Sequence, residues 1–160
     1  RLGRRVVIVS AGGGGMDASR LLPESPTGYY ARFLTLAHAT EQPIRAVLYW
    51  QGEGDVQDDP DRDRYRAKLA RMALAVDRDL GAPLVVAEIG PYTGASTAGV
   101  ETIRAAQRDC WASCQNVVRW PSFANVPGVA DGVHFRTEAE TRLAAERWNA
   151  ALHSANLVAQ

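Results

Sequence analysis

An aspartate and a histidine near the C-terminus have a spacing that suits acid–base chemistry. Asp131 precedes His134 by three residues in the segment DGVH. A carboxylate at this spacing can accept a hydrogen bond from Nδ1 of the imidazole, which fixes the tautomer and stabilises the imidazolium once Nε2 takes a proton. The pair predicts a general base, His134, with Asp131 as its orienting acid. The alternative is a loop histidine with a coincidental aspartate beside it.

A second polar segment, Gln51-Gly52-Glu53, directly follows an apolar run. Gly52 lets the backbone turn sharply at the end of a strand. Gln51 can offer an N–H to a developing oxyanion. Glu53, close to Asp55 in the sequence, can orient a base or bind a sugar hydroxyl. The alternative is a solvated turn that precedes a helix.

A run of four glycines, Gly12 to Gly15, follows another apolar run. Successive glycines let backbone N–H groups face a ligand without obstruction by side chains. The run is not a P-loop, because no Gly-Lys-Ser/Thr ending follows it. Asp17 stands where the last glycine of a dinucleotide-binding fingerprint would fall. An oxyanion-binding turn or a flexible loop fits the run better than a phosphate site does.

Apolar runs alternate with amphipathic stretches along the chain. Strands are predicted over residues 5–11, 44–50, 84–89 and 116–120. Helices are predicted over residues 29–39, from Asp59-Pro60 to the stop at Gly81, over 98–114, and over 138–152 after a Thr137/Glu140 capping box. Near-continuous apolar strands are typical of parallel sheets buried on both faces, so we expect a three-layer α/β/α sandwich. Ligands bind such sheets at the carboxyl ends of the strands, where the three polar segments would meet.

The bulk composition predicts one globular domain spanning residues 1–160. Eighteen basic residues balance eighteen acidic ones, which disfavours a nucleic-acid partner. No apolar run approaches the roughly 20 residues that span a bilayer, and no signal peptide is visible, so we expect a soluble chain of unassigned compartment. The sequence begins with Arg1 and not Met, and we expect a piece of a longer protein.

Two cysteines, Cys110 and Cys114, are too few for a disulfide-rich secreted scaffold. Their i,i+4 spacing places both on one face of the third predicted helix. We interpret them as two small buried apolar side chains. A metal site is not predicted, because no histidine lies near them in the sequence.

Together these segments resemble the SGNH-hydrolase superfamily, and within it the branch of sialate O-acetylesterases and xylan-deacetylating carbohydrate esterases. The stretch IRAVLYWQGEGDV is similar to that branch's strand and Trp/His/Tyr-Gln-Gly-Glu-Ser-Asp block, and DGVHFRTEAETRLAAERWNAAL to its Asp-x-x-His block and closing helix. VVIVSAGGGG is similar to its Gly-Gly block, and Arg104 with Gln107 to its Arg-x-x-Gln helix. The likeness extends from about Val6 to Leu152 and implies a flavodoxin-like parallel sheet.

The resemblance also implies roles for individual residues. His134 would be the general base and Asp131 its orienting carboxylate, with Glu53 as an alternative acid partner. The oxyanion and substrate would be bound by Gly13, Gly14, Gln51 and Gly52. Members of the family usually cleave acetyl esters of sugars without a metal or an organic cofactor, so we expect no cofactor and an acetylated saccharide or other small ester as ligand.

The family's nucleophile, a serine in a Gly-Gln-Ser-Asn block, has no evident counterpart. In one alignment Gly13-Gly14 is the family's second glycine block, and the nucleophile-bearing first strand is missing from the chain. The sheet would then expose an edge that a second chain or an upstream segment completes. In the other alignment AGGGGMD replaces AGQSNMD, and Gly14 stands in place of the serine. The spacing to Gln51 favours the first alignment, and Ser10 is a third candidate nucleophile.

Two functions follow from these alternatives. The leading hypothesis is a serine esterase that removes O-acetyl groups from carbohydrate by Ser-His-Asp acyl transfer. The rival is a catalytically inactive carbohydrate-binding or interaction domain on the same fold, which the missing serine block motivates. A phosphate-binding domain built on the glycine run is a third and weaker interpretation.

Overall fold

The chain forms a parallel β-sheet with helices on both of its faces. The computed structural model describes residues 7–57, 60–124, 126 and 137–157. Within these residues the strands are β1 (Val47–Tyr49), β2 (Leu84–Glu88) and β3 (Val117–Ser122). The α-helices are α1 (Tyr29–His38), α2 (Glu53–Gln57), α3 (Arg62–Leu80), α4 (Thr97–Ser113) and α5 (Glu138–Ser154), and a 3-10 helix covers Ala18–Leu21.

The described strands lie in the order β1-β2-β3, and both pairings are parallel. Leu84 of the central strand pairs with Val47 on one side and Val117 on the other. Every residue of β2 is buried, which confirms the predicted strand covered on both faces. The parallel arrangement brings the carboxyl ends of all three strands to one edge of the sheet.

Two apolar cores separate the layers and confirm the predicted α/β/α sandwich. Leu84 and Val86 of β2 pack into the larger core, where α3 and α4 cover the sheet. Val85 and Ala87, which point to the opposite face, pack into a second core with α5. The alternation along β2 follows from the two-residue period of a strand.

The ends of two helices show how local sequence sets their bounds. The predicted capping box of α5 is present, because Thr137 Oγ1 accepts from the Glu140 N–H and the Glu140 carboxylate accepts from the Thr137 N–H. Gly81, with φ of 61°, ends α3 as predicted. The predicted start of that helix at Asp59-Pro60 is wrong: Asp61 has extended backbone angles, and its carboxylate accepts from the Arg64 N–H at 2.7 Å. Residue 59 itself lies outside the described residues.

The predicted strand over 5–11 is wrong for the part that the structure describes. Residues 7–11 have no regular structure, and Val7 and Ile8 are 65% and 84% exposed. A β-branched apolar run fits a pleated surface but becomes a strand only when a neighbouring strand pairs with it. Arg5 and Val6 lie outside the described residues. Among the described helices, none is long and apolar enough to cross a membrane.

The two cysteines are bonded to one another, which the sequence interpretation did not foresee. Cys110 is fully buried, as predicted, but its sulfur forms a disulfide with Cys114 at the end of α4. The i,i+4 spacing brings the two Cα atoms to 4.8 Å, within the range that a disulfide spans. The interpretation as two separate apolar side chains is therefore corrected.

Candidate active site

Gln51 lies just beyond the carboxyl end of β1, and every polar group of its side chain has a protein partner. The Tyr49 hydroxyl donates to Oε1 at 2.7 Å. Nε2 donates to the Met16 carbonyl oxygen at 2.8 Å and to Oδ2 of Asp55 at 2.9 Å. A carboxamide has two N–H donors, and both are used here. In this arrangement Gln51 holds other segments in place and has no N–H left for an oxyanion.

The backbone of Gln51 is fixed from the opposite side by α3 and α4. Its carbonyl oxygen accepts from the Tyr65 hydroxyl at 2.5 Å and from Nε2 of Gln107 at 3.2 Å. Oε1 of the fully buried Gln107 accepts from the Ile89 N–H at 3.0 Å, and Nε of Arg104 donates to the Ile89 carbonyl oxygen. Gln107 therefore bridges the segments that leave β1 and β2, and Arg104 supports the second of them.

Two buried tyrosines act as neutral donors in this network. Burial raises the pKa of both the Tyr49 and the Tyr65 phenol well above the usual value, and the carboxylate of Asp55 raises each of them further. Because each phenol keeps its proton, Tyr49 and Tyr65 can donate permanently to the side chain and the backbone of Gln51.

Gly52 is buried where the turn passes closest to the sheet core. A Cβ atom at this position would lie 2.8 Å from Cγ2 of Ile103 and 2.9 Å from Cγ2 of Ile89. Only glycine fits without movement of these side chains, because the backbone passes directly against them. The Gly52 N–H donates to Oε2 of Glu53 at 3.1 Å, and Glu53 begins α2.

Asp55, on the short helix α2, connects three segments of the chain. Its side chain is buried, and Oδ2 accepts from the Ala18 N–H at 2.7 Å as well as from Gln51. Oδ1 accepts from Nζ of Lys68 on α3 at 2.7 Å. The sequence interpretation noted Asp55 only as a neighbour of Glu53. Its spacing of four residues from Gln51, across the turn that leads into α2, was the one available signal that the two side chains could meet.

The glycine run is exposed, and the residues that follow it lie against the Gln51 turn. Gly13 and Gly14 are exposed, Gly15 has φ of 65°, and the next residue, Met16, is buried. In this flank the Met16 carbonyl oxygen accepts from the Gln51 side chain, and the Ala18 N–H donates to the Asp55 carboxylate. The structure therefore brings the flank of the glycine run to the Gln51–Glu53 turn, although the two segments lie far apart in sequence.

The other predicted site residues differ in what the structure says of them. Ser10 is exposed in the irregular segment before the glycine run. Asp131 and His134 lie outside the described residues, so their roles stay predictions. Among the described residues, no three His, Cys, Asp or Glu side chains cluster as metal ligands would.

Comparison with known proteins identifies a family whose model matches this sequence. A family model described as "Carbohydrate esterase, sialic acid-specific acetylesterase" matches residues 2–153. A solved structure, a carbohydrate acetylesterase from Xanthomonas citri, superposes with a TM-score of 0.63 at 16% identity and covers 88% of this chain. The match spans only 34% of that chain, and at this identity it shows the α/β fold alone. No curated protein matches the sequence. The chain belongs to the family of sialic acid-specific acetylesterases among the carbohydrate esterases.

Proposed function

We propose that this chain removes O-acetyl groups from carbohydrate by serine acyl transfer. The observation that carries the proposal is the contact between the glycine-run flank and the Gln51–Glu53 turn at the carboxyl edge of a parallel sheet, in a member of an acetylesterase family. Ligands bind parallel α/β sheets at that edge. An acetylated saccharide is the substrate class that the family suggests.

In the proposed reaction a serine hydroxyl attacks the acetyl carbonyl carbon while Nε2 of His134 accepts its proton. Asp131 holds the imidazole by a hydrogen bond to Nδ1, with Glu53 as the alternative acid. The sugar hydroxyl then leaves with the proton from His134, and water hydrolyses the acyl-enzyme to acetate. The motifs do not identify the nucleophilic serine, and Ser10 is one candidate within this sequence.

The oxyanion donors in this proposal are the backbone N–H groups of Gly13 and Gly14. Gln51 was the other candidate, but both of its side-chain N–H groups are bound to Met16 and Asp55. We therefore assign Gln51 the task of holding the glycine run close to the turn. Preorganised backbone donors of this kind typically contribute more than any other single electrostatic group in acyl transfer.

The test is hydrolysis of p-nitrophenyl acetate and release of acetate from an O-acetylated saccharide. The sequence contains three histidines, so His38→Ala and His153→Ala are matched controls for His134→Ala. We expect His134→Ala to lower kcat about 10³-fold or more and the two controls to leave it unchanged. Ser10→Ala should abolish turnover if Ser10 is the nucleophile. Saccharide binding without any turnover by the unaltered protein would instead favour the inactive binding domain.

A further inference from the structure

An ion pair between a buried carboxylate and a half-buried ammonium group lies beside the contact between the segment after the glycine run and the Gln51 turn. Asp55 is 6% exposed and Lys68, the only lysine of the sequence, has a side chain that is 19% exposed. Their charged atoms lie 2.7 Å apart. Nζ of Lys68 also lies 3.7 Å from Oδ1 of Asp17, in the segment that follows the glycine run. The ammonium group therefore lies between a carboxylate of α2 and one of the glycine-run flank.

The two carboxylate oxygens of Asp55 contact different groups. Oδ1 faces Lys68, whereas Oδ2 accepts from the Ala18 N–H and from the Gln51 side chain. Hydrogen bonds to an ionised carboxylate are about twice as strong as those between neutral groups. The ammonium group of Lys68 pairs with one oxygen of the buried Asp55 carboxylate, and the other oxygen accepts from Ala18 and Gln51.

The backbone of residues 16–17 packs so closely against α2 that no side-chain atom fits at Gly54. A Cβ atom at Gly54 would lie 2.4 Å from the Met16 carbonyl oxygen and 2.9 Å from the Asp17 backbone nitrogen. The backbone of 16–17 thus lies directly on the first turn of α2. Among the described residues, an added Cβ at Gly14 would meet no atom within 4 Å, whereas one at Gly13 would lie 2.7 Å from Cε of Met16 and 3.1 Å from Cε1 of Tyr29.

We propose that Asp55 and Lys68 are positioning residues that fix the glycine run relative to the Gln51–Glu53 turn, an inference that rests on the proposed esterase function for its catalytic consequence. We name the set Asp55, Lys68, Gln51 and segment 16–18 the Asp55 clamp. The proposal assigns neither Asp55 nor Lys68 a contact with substrate. They act through Ala18 and Gln51, and the loop that they hold supplies the N–H groups of the oxyanion site.

The experiment compares Lys68→Met, Asp55→Asn and Lys68→Arg with Arg66→Met as the matched control. Arg66 lies on the same helix, is more exposed, and pairs with Asp63, a surface carboxylate outside the Asp55 clamp. Amide hydrogen exchange of segment 12–18 is measured by mass spectrometry, with circular dichroism to verify folding. We expect exchange of this segment to rise about tenfold in Lys68→Met and Asp55→Asn, and to stay unchanged in Arg66→Met.

Turnover of p-nitrophenyl acetate gives the second readout. A loosened oxyanion site should lower kcat about 10- to 100-fold in Lys68→Met while KM changes little, since small misplacements cost mainly transition-state stabilisation. Lys68→Arg, which keeps the cation, should restore most of kcat. Because a lower fraction of folded protein would also lower the apparent kcat at constant KM, kcat is expressed per folded protein, with the folded fraction taken from circular dichroism.

The two proposals fail in different ways. If the unaltered protein hydrolyses no ester, the proposed function is wrong, and hydrogen exchange still decides the Asp55 clamp. If segment 12–18 exchanges at the unaltered rate in both Lys68→Met and Asp55→Asn, the clamp is wrong whatever the turnover. Should Lys68→Met not fold, Asp55→Asn carries the same comparison. Asparagine has the shape of aspartate but only one side-chain oxygen, whereas Ala18, Gln51 and Lys68 donate to two in the unaltered protein.

Discussion

The Nε2 atom of Gln107 lies 3.2 Å from the carbonyl oxygen of Gln51, so that a buried side chain of α4 holds the backbone at the end of β1. Its Oε1 atom accepts from the Ile89 N–H after β2. One carboxamide therefore fixes the spacing between two strand ends that lie 38 residues apart in sequence, at Gln51 and Ile89. The Gln51–Glu53 turn depends on this spacing, because Ile89 also packs against Gly52.

Replacement of Gln107 by alanine should destabilise the fold. Gln107→Ala leaves the buried N–H of Ile89 without its acceptor and opens a cavity beside Gln51. An unsatisfied buried polar group costs about 1–3 kcal/mol, so we expect the free energy of unfolding to fall by about 2–4 kcal/mol in urea titrations. Gln115→Ala, at an exposed position, is the control and should change it by less than about 0.5 kcal/mol. Equal values for the two variants would show that the bridge contributes nothing.

The residue at position 54 should be restricted to glycine in this chain, although the family block has serine there. A Cβ atom at Gly54 would lie 2.4 Å from a backbone oxygen of Met16, and backbone has less room to move than a side chain. We expect Gly54→Ser to lower the free energy of unfolding by about 1–3 kcal/mol, as overpacking commonly does. Gly12→Ser is the control, because an added Cβ there meets nothing within 4 Å. Urea titrations give the measurement. If Gly54→Ser loses no more unfolding free energy than Gly12→Ser, the close approach of segment 16–17 is not rigid.

Acidification should weaken the cap of the 3-10 helix through Asp17. Burial raises the pKa of its carboxyl group, but hydrogen bonds from the Ser19 hydroxyl and N–H, with the charge of Lys68, outweigh this and hold the pKa below the usual 3.8. A depressed pKa contributes stability above the unfolded-state value, and this contribution is lost as the pH falls through the folded-state value.

Asp17→Asn isolates this contribution, because asparagine caps a helix about as well but does not titrate. We expect the unaltered protein to be the more stable of the two at about pH 7, and the difference in unfolding free energy to shrink towards about pH 2. Urea titrations across this range give the measurement. A difference that stays constant with pH would mean that the charge of Asp17 is not involved.

The architecture was predictable because each element carries its own local signal. The apolar run at β2, the αL glycine at Gly81 and the capping box at Thr137 each specify structure within a few residues. Strand 5–11 carried the same kind of signal, yet Val7 and Ile8 are exposed. The difference is that a strand needs a partner, and local propensity contains no information about which partner is present.

The position of the Gln51–Glu53 turn at the sheet edge was predictable from the sequence, but its hydrogen-bond partners were not. The Gln51–Glu53 turn follows β1 at the edge where the carboxyl ends of the parallel strands converge, as the sequence predicted. The hydrogen bond from the Ala18 N–H to Asp55 joins residues 37 positions apart, and Lys68 reaches Asp55 from a separate helix. Such contacts depend on how whole elements pack, so the motif alone could not show that the Gln51 side chain donates to Met16 and Asp55.

An aromatic cluster on the opposite face of the sheet should contribute strongly to stability. Phe123, after β3, is fully buried and stacks on Trp50, after β1, with ring centroids 4.2 Å apart. Trp148 of α5 lies with its ring centroid 6.1 Å from that of Trp50 and 6.0 Å from that of Phe123. The cluster therefore joins the carboxyl ends of two strands to α5, the helix that follows the predicted Asp131–His134 segment.

Phe123→Ala should lower the free energy of unfolding by about 3–5 kcal/mol, as expected for a fully buried phenylalanine. Phe33→Ala is the matched control, since Phe33 of α1 is only partly buried and should cost less. The near-ultraviolet circular dichroism of the tryptophans should weaken in Phe123→Ala and persist in Phe33→Ala, because only the former removes a ring stacked on Trp50. If the two variants lose equal stability and keep the same spectrum, the cluster does not hold α5 to the strand ends.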